Sequence, residues 1–215
     1  VHMPPSQLVS LENTCNKGGG SIYELNDIKA IKAVCDKHGM KLHLDGARVF
    51  NALVEADYNA KQLGEPFNTI SICLSKGLGA PVGSLLIGSA ADIKQGRRIR
   101  KLFGGGMRQA GYLAAAGIYA LENHVERLKE DHTRARKLGE TLEGLNYVKE
   151  VLPVDTNIVV FEVNDDVDHM AIIDQLTANN MHTVPFGPGQ IRLVTHLDYT
   201  DEMLEESIRI LTSIQ

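Results

Sequence analysis

Cysteine is scarce in this chain of 215 residues, with only Cys15, Cys35 and Cys73 present. They form no C-x-x-C pair and no metal-ligand spacing, so no metal site is expected, and an odd, sparse count fits the reducing cytoplasm. Long apolar runs are missing too. No stretch reaches the ~20 residues of a transmembrane helix, and the opening does not read as a signal peptide, so no membrane association is expected. An excess of positive charge is absent. The formal net charge is −5, which gives no footing for a nucleic-acid surface. There is no Pro- or Ser-rich linker and no internal repeat. The remaining composition is ordinary for a globular protein, 43% hydrophobic and 23% charged, at a length that buries a useful core. The first residue is Val1 rather than Met, and positions 1 to 6 read as the middle of a loop. The chain is therefore expected to be a fragment.

Hydrophobic periodicity sketches the organisation. From Leu25 to Gly39, residues Ile28, Ile31, Val34 and Cys35 fall on one helical face, and Gly39 is a stop. Three short apolar runs, 40–44, 69–74 and 82–87, are strand candidates. Helical pattern covers 90–101, resumes after Gly106, and continues from 112–119 on through 134–145. This alternation predicts α/β architecture with a mostly parallel sheet. The tail has another texture: strands at 147–152, 158–163 and 191–194, helices at 167–180 and 201–214. It reads as a small α+β domain. The expected division is a large domain over 1–130 and a small one over 131–215.

Three local features carry chemistry. The run Ser75-Lys76-Gly77-Leu78-Gly79-Ala80-Pro81 puts a lysine at the end of an apolar strand, among glycines. Burial lowers a lysine pKa and yields a nucleophilic amine, and glycines let a flat ligand approach. The alternative is an exposed lysine in a flexible turn. In His43-Leu44-Asp45-Gly46-Ala47-Arg48, strand alternation puts Leu42 and Leu44 on one face, His43 and Asp45 on the other. Asp45 then sits at the carboxyl end of a strand, where open α/β sheets bind ligands. A carboxylate there raises the pKa of a pyridine nitrogen. The alternative is a helix cap. Arg192 lies in the apolar strand Gln190-Ile191-Arg192-Leu193-Val194. Its guanidinium needs an anion, either a substrate carboxylate or an internal Asp or Glu. A basic cluster, Lys94, Arg97, Arg98, Arg100, Lys101 and Arg108, has the solvated face of a helix as its plain reading.

Lysine nucleophile, aspartate and arginines together resemble the threonine aldolases, within the fold type I pyridoxal-phosphate enzymes and their β-eliminating lyase group. The matching stretches are Leu11-Glu12-Asn13-Thr14, Leu44-Asp45-Gly46-Ala47-Arg48, Ser71 to Ser84, Gly104-Gly105-Gly106-Met107-Arg108-Gln109, and Arg192-Leu193-Val194-Thr195-His196. The resemblance implies pyridoxal 5'-phosphate carried as a Schiff base on Lys76, with Ser75 in the same cofactor-binding stretch. It places Asp45 at the pyridine nitrogen. Arg48 and Arg192 would contact the substrate carboxylate, Arg48 also lying near the cofactor's phenolic oxygen. His2, ten residues before Glu12, aligns with a histidine that approaches the substrate hydroxyl, the alternative being an unstructured terminal residue. Lys101 and Arg108 match basic residues near the cofactor phosphate, across a subunit contact.

The sequence departs from the family at Cys15, where the usual Glu-Asn-Thr-His-Asn has histidine. The family's phosphate-binding Gly-Thr turn and ring-stacking histidine belong to an amino-terminal part that this chain does not contain. The implied reaction is retro-aldol cleavage of L-threonine or L-allo-threonine to glycine and acetaldehyde. The alternatives are another fold type I β-eliminating amino acid lyase, or an inactive fragment that needs a companion amino-terminal chain. With only three candidate strands before residue 90, residues 1–215 are not expected to be active alone. A homo-oligomer of four completed subunits is the expected assembly.

Overall fold

The computed structural model describes residues 4–214. In chain order the elements are β1 (Leu8–Glu12), α1 (Leu25–Lys37), β2 (Lys41–Gly46), α2 (Val49–Glu55), α3 (Ala60–Gly64), β3 (Thr69–Cys73), β4 (Ser84–Gly88), α4 (Ala90–Leu102), α5 (Gly111–Asn123), α6 (Leu128–Glu143), β5 (Val148–Val151), β6 (Ile158–Val163), α7 (His169–Ala178), β7 (Val184–Gly187), β8 (Gln190–Val194) and α8 (Asp201–Ser213). They fall into two units. The first holds residues up to Thr14 and Ile22–Glu126, the second Cys15–Ser21 and Arg127 onward. No local sequence feature signals that Cys15–Ser21 belongs with the later half.

The first unit is built on a four-stranded sheet in the order β1-β2-β3-β4. β1, β2 and β3 run parallel, and β4 closes the row antiparallel. Parallel neighbours need crossovers, supplied by α1 between β1 and β2 and by α2 and α3 between β2 and β3. Alternation along β2 buries Leu42 and Leu44 completely and leaves His43 and Asp45 half-exposed on the other face. The buried stripe of α1 is Ile28 and Cys35, spaced i and i+7, while Val34 turns outward. Gly39, with φ +66, ends this helix. Its N–H donates to the Asp36 carbonyl and that of Met40 to Cys35, the double closure that a left-handed residue permits. The expected strands are present, and β1 is an addition. Only Leu11 of β1 is buried, so its extended state comes from pairing with β2 rather than from its own pattern.

The second unit is a four-stranded antiparallel sheet, β5-β6-β8-β7. Its core joins Leu138 and Leu142 of α6, Phe161 of β6, Leu176 of α7, Ile191 and Leu193 of β8, and Leu211 of α8. The burial of Val159, Phe161 and Val163 in this core sends Ile158 and Val160 to the opposite face. There Gly20 lies so close that an added Cβ would stand 3.2 Å from the Ile158 Cβ and 2.5 Å from the Thr156 hydroxyl. Thr156 Oγ1 donates to the Gly20 carbonyl at 2.9 Å. The segment Cys15–Ser21 is thus fastened onto the face of the sheet that also carries Arg192.

Candidate active site

In the first unit the chemistry gathers at the carboxyl ends of adjacent parallel strands. Asp45 of β2 stands opposite Ser71 of β3, and β3 ends at Cys73, just before Ser75 and Lys76. Asp45 Oδ1 accepts the Ala47 N–H at 3.1 Å, an Asx turn. The helix that follows, α2, begins from Arg48 with no side-chain cap, so Asp45 does not cap it. Among the described residues Asp45 Oδ2 accepts no hydrogen bond, which leaves one carboxylate oxygen for a ligand. The backbone under Asp45 is tied down: its carbonyl accepts the Asn13 N–H at 3.0 Å. Asn13 in turn donates Nδ2 to the Tyr58 hydroxyl, which donates to the Tyr23 carbonyl. Burial raises the Tyr58 phenol pKa, opposed by the Asn13 hydrogen bond. Asn13, which lies in the matched stretch Leu11–Thr14, and Tyr58 therefore support the backbone under Asp45, a task that the sequence reading assigned to neither.

For Lys76 the sequence left a buried amine and an exposed lysine in a turn both open. Its side chain is exposed among the described residues. The strand stops three residues earlier, and Lys76 opens a turn in which the Gly79 N–H donates to the Lys76 carbonyl at 2.8 Å. Around it the loop is packed, with Leu74, Leu78 and Ala80 buried. Gly79 and Gly83 take positive φ, +71 and +133, which explains glycine at those two places. Ser75 is exposed, with Oγ 3.4 Å from Cys73 Sγ. Arg48, the residue from which α2 begins, is half-buried. Lys101 and Arg108 are exposed, and α4 buries none of its residues. His2 lies outside the described residues.

Arg192 belongs to the second unit, paired with Val160 and Val184 on the strands to either side. Among the described residues it meets no carboxylate, so the internal ion pair held open from sequence is not made. Instead Nη1 donates to Asn16 Oδ1 at 2.9 Å, and the guanidinium carbon lies 5.1 Å from the centre of the Phe186 ring. Nε is buried without an acceptor. Nε and Nη2 form one edge of the planar group, the fork that meets a carboxylate through two parallel bonds. Asn16 occupies the opposite nitrogen and leaves that edge uncommitted. Lys17 Nζ donates to the Phe186 carbonyl at 3.0 Å and stands 4.2 Å from the same ring. Asn16, Lys17 and Phe186 were invisible to sequence reasoning, because Asn16 and Arg192 are 176 residues apart.

The sequence profile of the Beta-eliminating lyase family matches residues 1–166. The chain belongs to this family. Low specificity L-threonine aldolase from Escherichia coli K12 is 42% identical over 206 residues, covering 96% of this chain and 60% of that protein. The protein of the same name from Saccharomyces cerevisiae is 42% identical over 160 residues, 74% of this chain and 40% of that one. The chain thus spans about three fifths or less of these curated relatives. Among solved structures, Leishmania major threonine aldolase superposes with a TM-score of 0.77 at 23% identity, over 98% of this chain and 61% of that one. N-acetylornithine aminotransferase from Stenotrophomonas maltophilia gives a TM-score of 0.68 at 21% identity, over 96% of this chain and 55% of that one. These likenesses show the fold type I architecture that the sequence predicted.

Family and fold together imply pyridoxal phosphate as the cofactor. The residues present fit it. Asp45 offers an uncommitted carboxylate oxygen, and Lys76 an accessible primary amine. Gly46 lets the chain pass so close to β3 that an added Cβ would lie 2.7 Å from the Ser71 carbonyl oxygen.

Proposed function

We propose that this chain forms the lysine- and carboxylate-binding part of an enzyme that cleaves L-threonine and L-allo-threonine to glycine and acetaldehyde. The observation that carries this reading is Arg192, whose Nε is buried without an acceptor and whose cation has no carboxylate partner among the described residues. It stands in a chain that also sets a carboxylate with one uncommitted oxygen and a lysine at neighbouring strand ends, and that is 42% identical to an L-threonine aldolase. Bound pyridoxal phosphate supplies the electron sink for the pair left on Cα when the Cα–Cβ bond breaks. Lys76 Nζ is the attachment point. Asp45 holds a proton on the ring nitrogen by opposite charge. Arg192, with Arg48, binds the substrate carboxylate and so sets the direction of the Cα–Cβ bond. Ser75, Lys101 and Arg108 contribute to cofactor binding, the last two at the phosphate. The β-hydroxyl proton must leave as acetaldehyde forms, and His2 is this chain's candidate to take it. A proton delivered to Cα completes glycine.

The catalytic assembly extends beyond residues 1–215 in this reading: a companion amino-terminal segment completes each subunit, and four subunits form the cytoplasmic enzyme. Support comes from the greater length of the relatives and from apolar surface on the first unit. Leu85, Leu86 and Ile87 of β4 are all exposed, and so are Leu102, Phe103 and Tyr112. Such a surface marks an interaction site. Among the described residues no helix is long and apolar enough to cross a membrane. A product assay on the assembled protein tests the activity. Glycine and acetaldehyde from L-threonine are expected. A keto acid and ammonia would point instead to β-elimination, the reading that the family's name favours. Equal turnover by isolated residues 1–215 would refute the need for a companion segment.

A further inference from the structure

The loop that carries Lys76 is held from outside by a residue that neither motif nor family role assigned. Its neck is closed by backbone bonds, from the Leu74 N–H to Gly83 at 2.9 Å and from the Ala80 N–H to Leu74 at 3.0 Å. Between them, Lys76 to Gly79 form a four-residue turn closed by the Gly79 N–H on the Lys76 carbonyl. Gly79, with φ +71, makes such a turn soft, because the peptide between Leu78 and Gly79 has a side chain on one flank only and meets less steric resistance to flipping. The Leu78 carbonyl, on that same peptide, lies 2.6 Å from His124 Nδ1. A carbonyl only accepts, so Nδ1 carries the hydrogen and donates it. The planar Leu78–Gly79 peptide is thereby bound at both ends. One end is His124, and the other is the carbonyl of Lys76 itself.

His124 is well placed to act as a fixed post. It follows the last residue of α5, and its own N–H donates to the Ala120 carbonyl at 2.9 Å. Its ring meets Tyr119 edge-on, with centroids 5.4 Å apart and planes at 86°. The helix also presses on the loop neck. Ala120 is buried, and a Cβ added at Gly117 would stand 3.0 Å from Leu74 Cδ1. We infer that His124 is a positioning residue for Lys76: by donating Nδ1–H to the Leu78 carbonyl it prevents the glycine turn from flipping, and so fixes the backbone from which the amine projects. The inference rests on the assignment of Lys76 as the attachment lysine.

Two substitutions separate donation from packing. His124→Asn keeps an N–H donor near the Nδ1 position, and His124→Phe keeps a ring against Tyr119 but cannot donate. Two readouts are made on the assembled protein: amide hydrogen exchange of residues 74–83 without cofactor, and the rate at which imine absorbance grows after pyridoxal 5'-phosphate is added to cofactor-free protein. For His124→Phe, exchange is expected to rise and imine formation to slow, each on the order of tenfold. His124→Asn is expected to stay within about twofold of the parent in both. The inference is overturned if His124→Phe matches the parent in either readout, or if His124→Asn is as impaired as His124→Phe. Should His124→Phe fail to fold, His124→Ala carries the same comparison. A reducible adduct surviving in Lys76→Ala would remove the lysine assignment instead, whereas the cofactor-free exchange readout does not depend on it.

Discussion

Replacing Arg192 by lysine keeps one positive charge on β8 and removes the guanidinium fork. In the parent, Nη1 is spent on Asn16 and the guanidinium carbon lies 5.1 Å from the centre of the Phe186 ring. The Nε–Nη2 edge is left, with Nε buried and lacking an acceptor. A buried N–H without a partner costs roughly 1–3 kcal/mol. A substrate carboxylate seated on that edge, displacing the neighbours that close it off, recovers that cost and gains two charge-assisted bonds. A lysine ammonium reaches the carboxylate as a point charge and supplies one. The loss on going to lysine is then about 1.5–3 kcal/mol, which corresponds to roughly 10- to 150-fold weaker amino acid binding. Cofactor content is expected to hold, because Lys76 and Asp45 belong to the other unit. Spectrophotometric titration with glycine, alongside KM for L-threonine, reads the effect. Glycine affinity within about twofold of the parent, together with loss of cofactor, would refute the reasoning and give Arg192 another task.

Other perturbations test separate links. Asp45→Asn keeps the oxygen that accepts the Ala47 N–H, so circular dichroism is expected to be unchanged. Turnover is expected to fall on the order of 10²-fold or more for want of the charge that holds the ring proton, and near-normal kcat would contradict this. Tyr147 is buried, donates to the Leu211 carbonyl at 3.1 Å, and burial pushes its phenol from 10.0 up to about 12. The folded state holds this proton more tightly than the unfolded one, so the contribution is complete below pH 10 and is lost as pH rises through about 12. Tyr147→Phe is expected to cost about 1 kcal/mol at neutral pH and to flatten the alkaline fall in stability. Urea melts at several pH values check both, and an unchanged alkaline slope would count against Tyr147 as its source.

How far the sequence carried depended on whether an element's signal was local. The α1 helix, stopped by Gly39, and the apolar run of β6 announced themselves by period and punctuation. The β7 strand did not: it is four residues long and contains Pro185, which removes a ladder donor. The short helices α2 and α3 lie below the length at which period is readable. In the site, Asp45 was legible because alternation along β2 fixes its face. Arg192 was legible as a cation needing an anion. Its actual neighbours were not, since Asn16 reaches it through tertiary folding alone. The same holds for His124 and the Leu78 carbonyl, 46 residues apart. For Lys76 the strand before it left burial and exposure both open, and the turn that intervenes decides for exposure.

The central claim is that Lys76 carries the cofactor. Borohydride reduction of the assembled protein loaded with pyridoxal 5'-phosphate, followed by peptide mass mapping, tests it directly. The account predicts one reduced adduct, on the peptide containing Lys76, and its disappearance in Lys76→Ala together with the imine absorbance. An adduct on another lysine, or one that survives in Lys76→Ala, would contradict it.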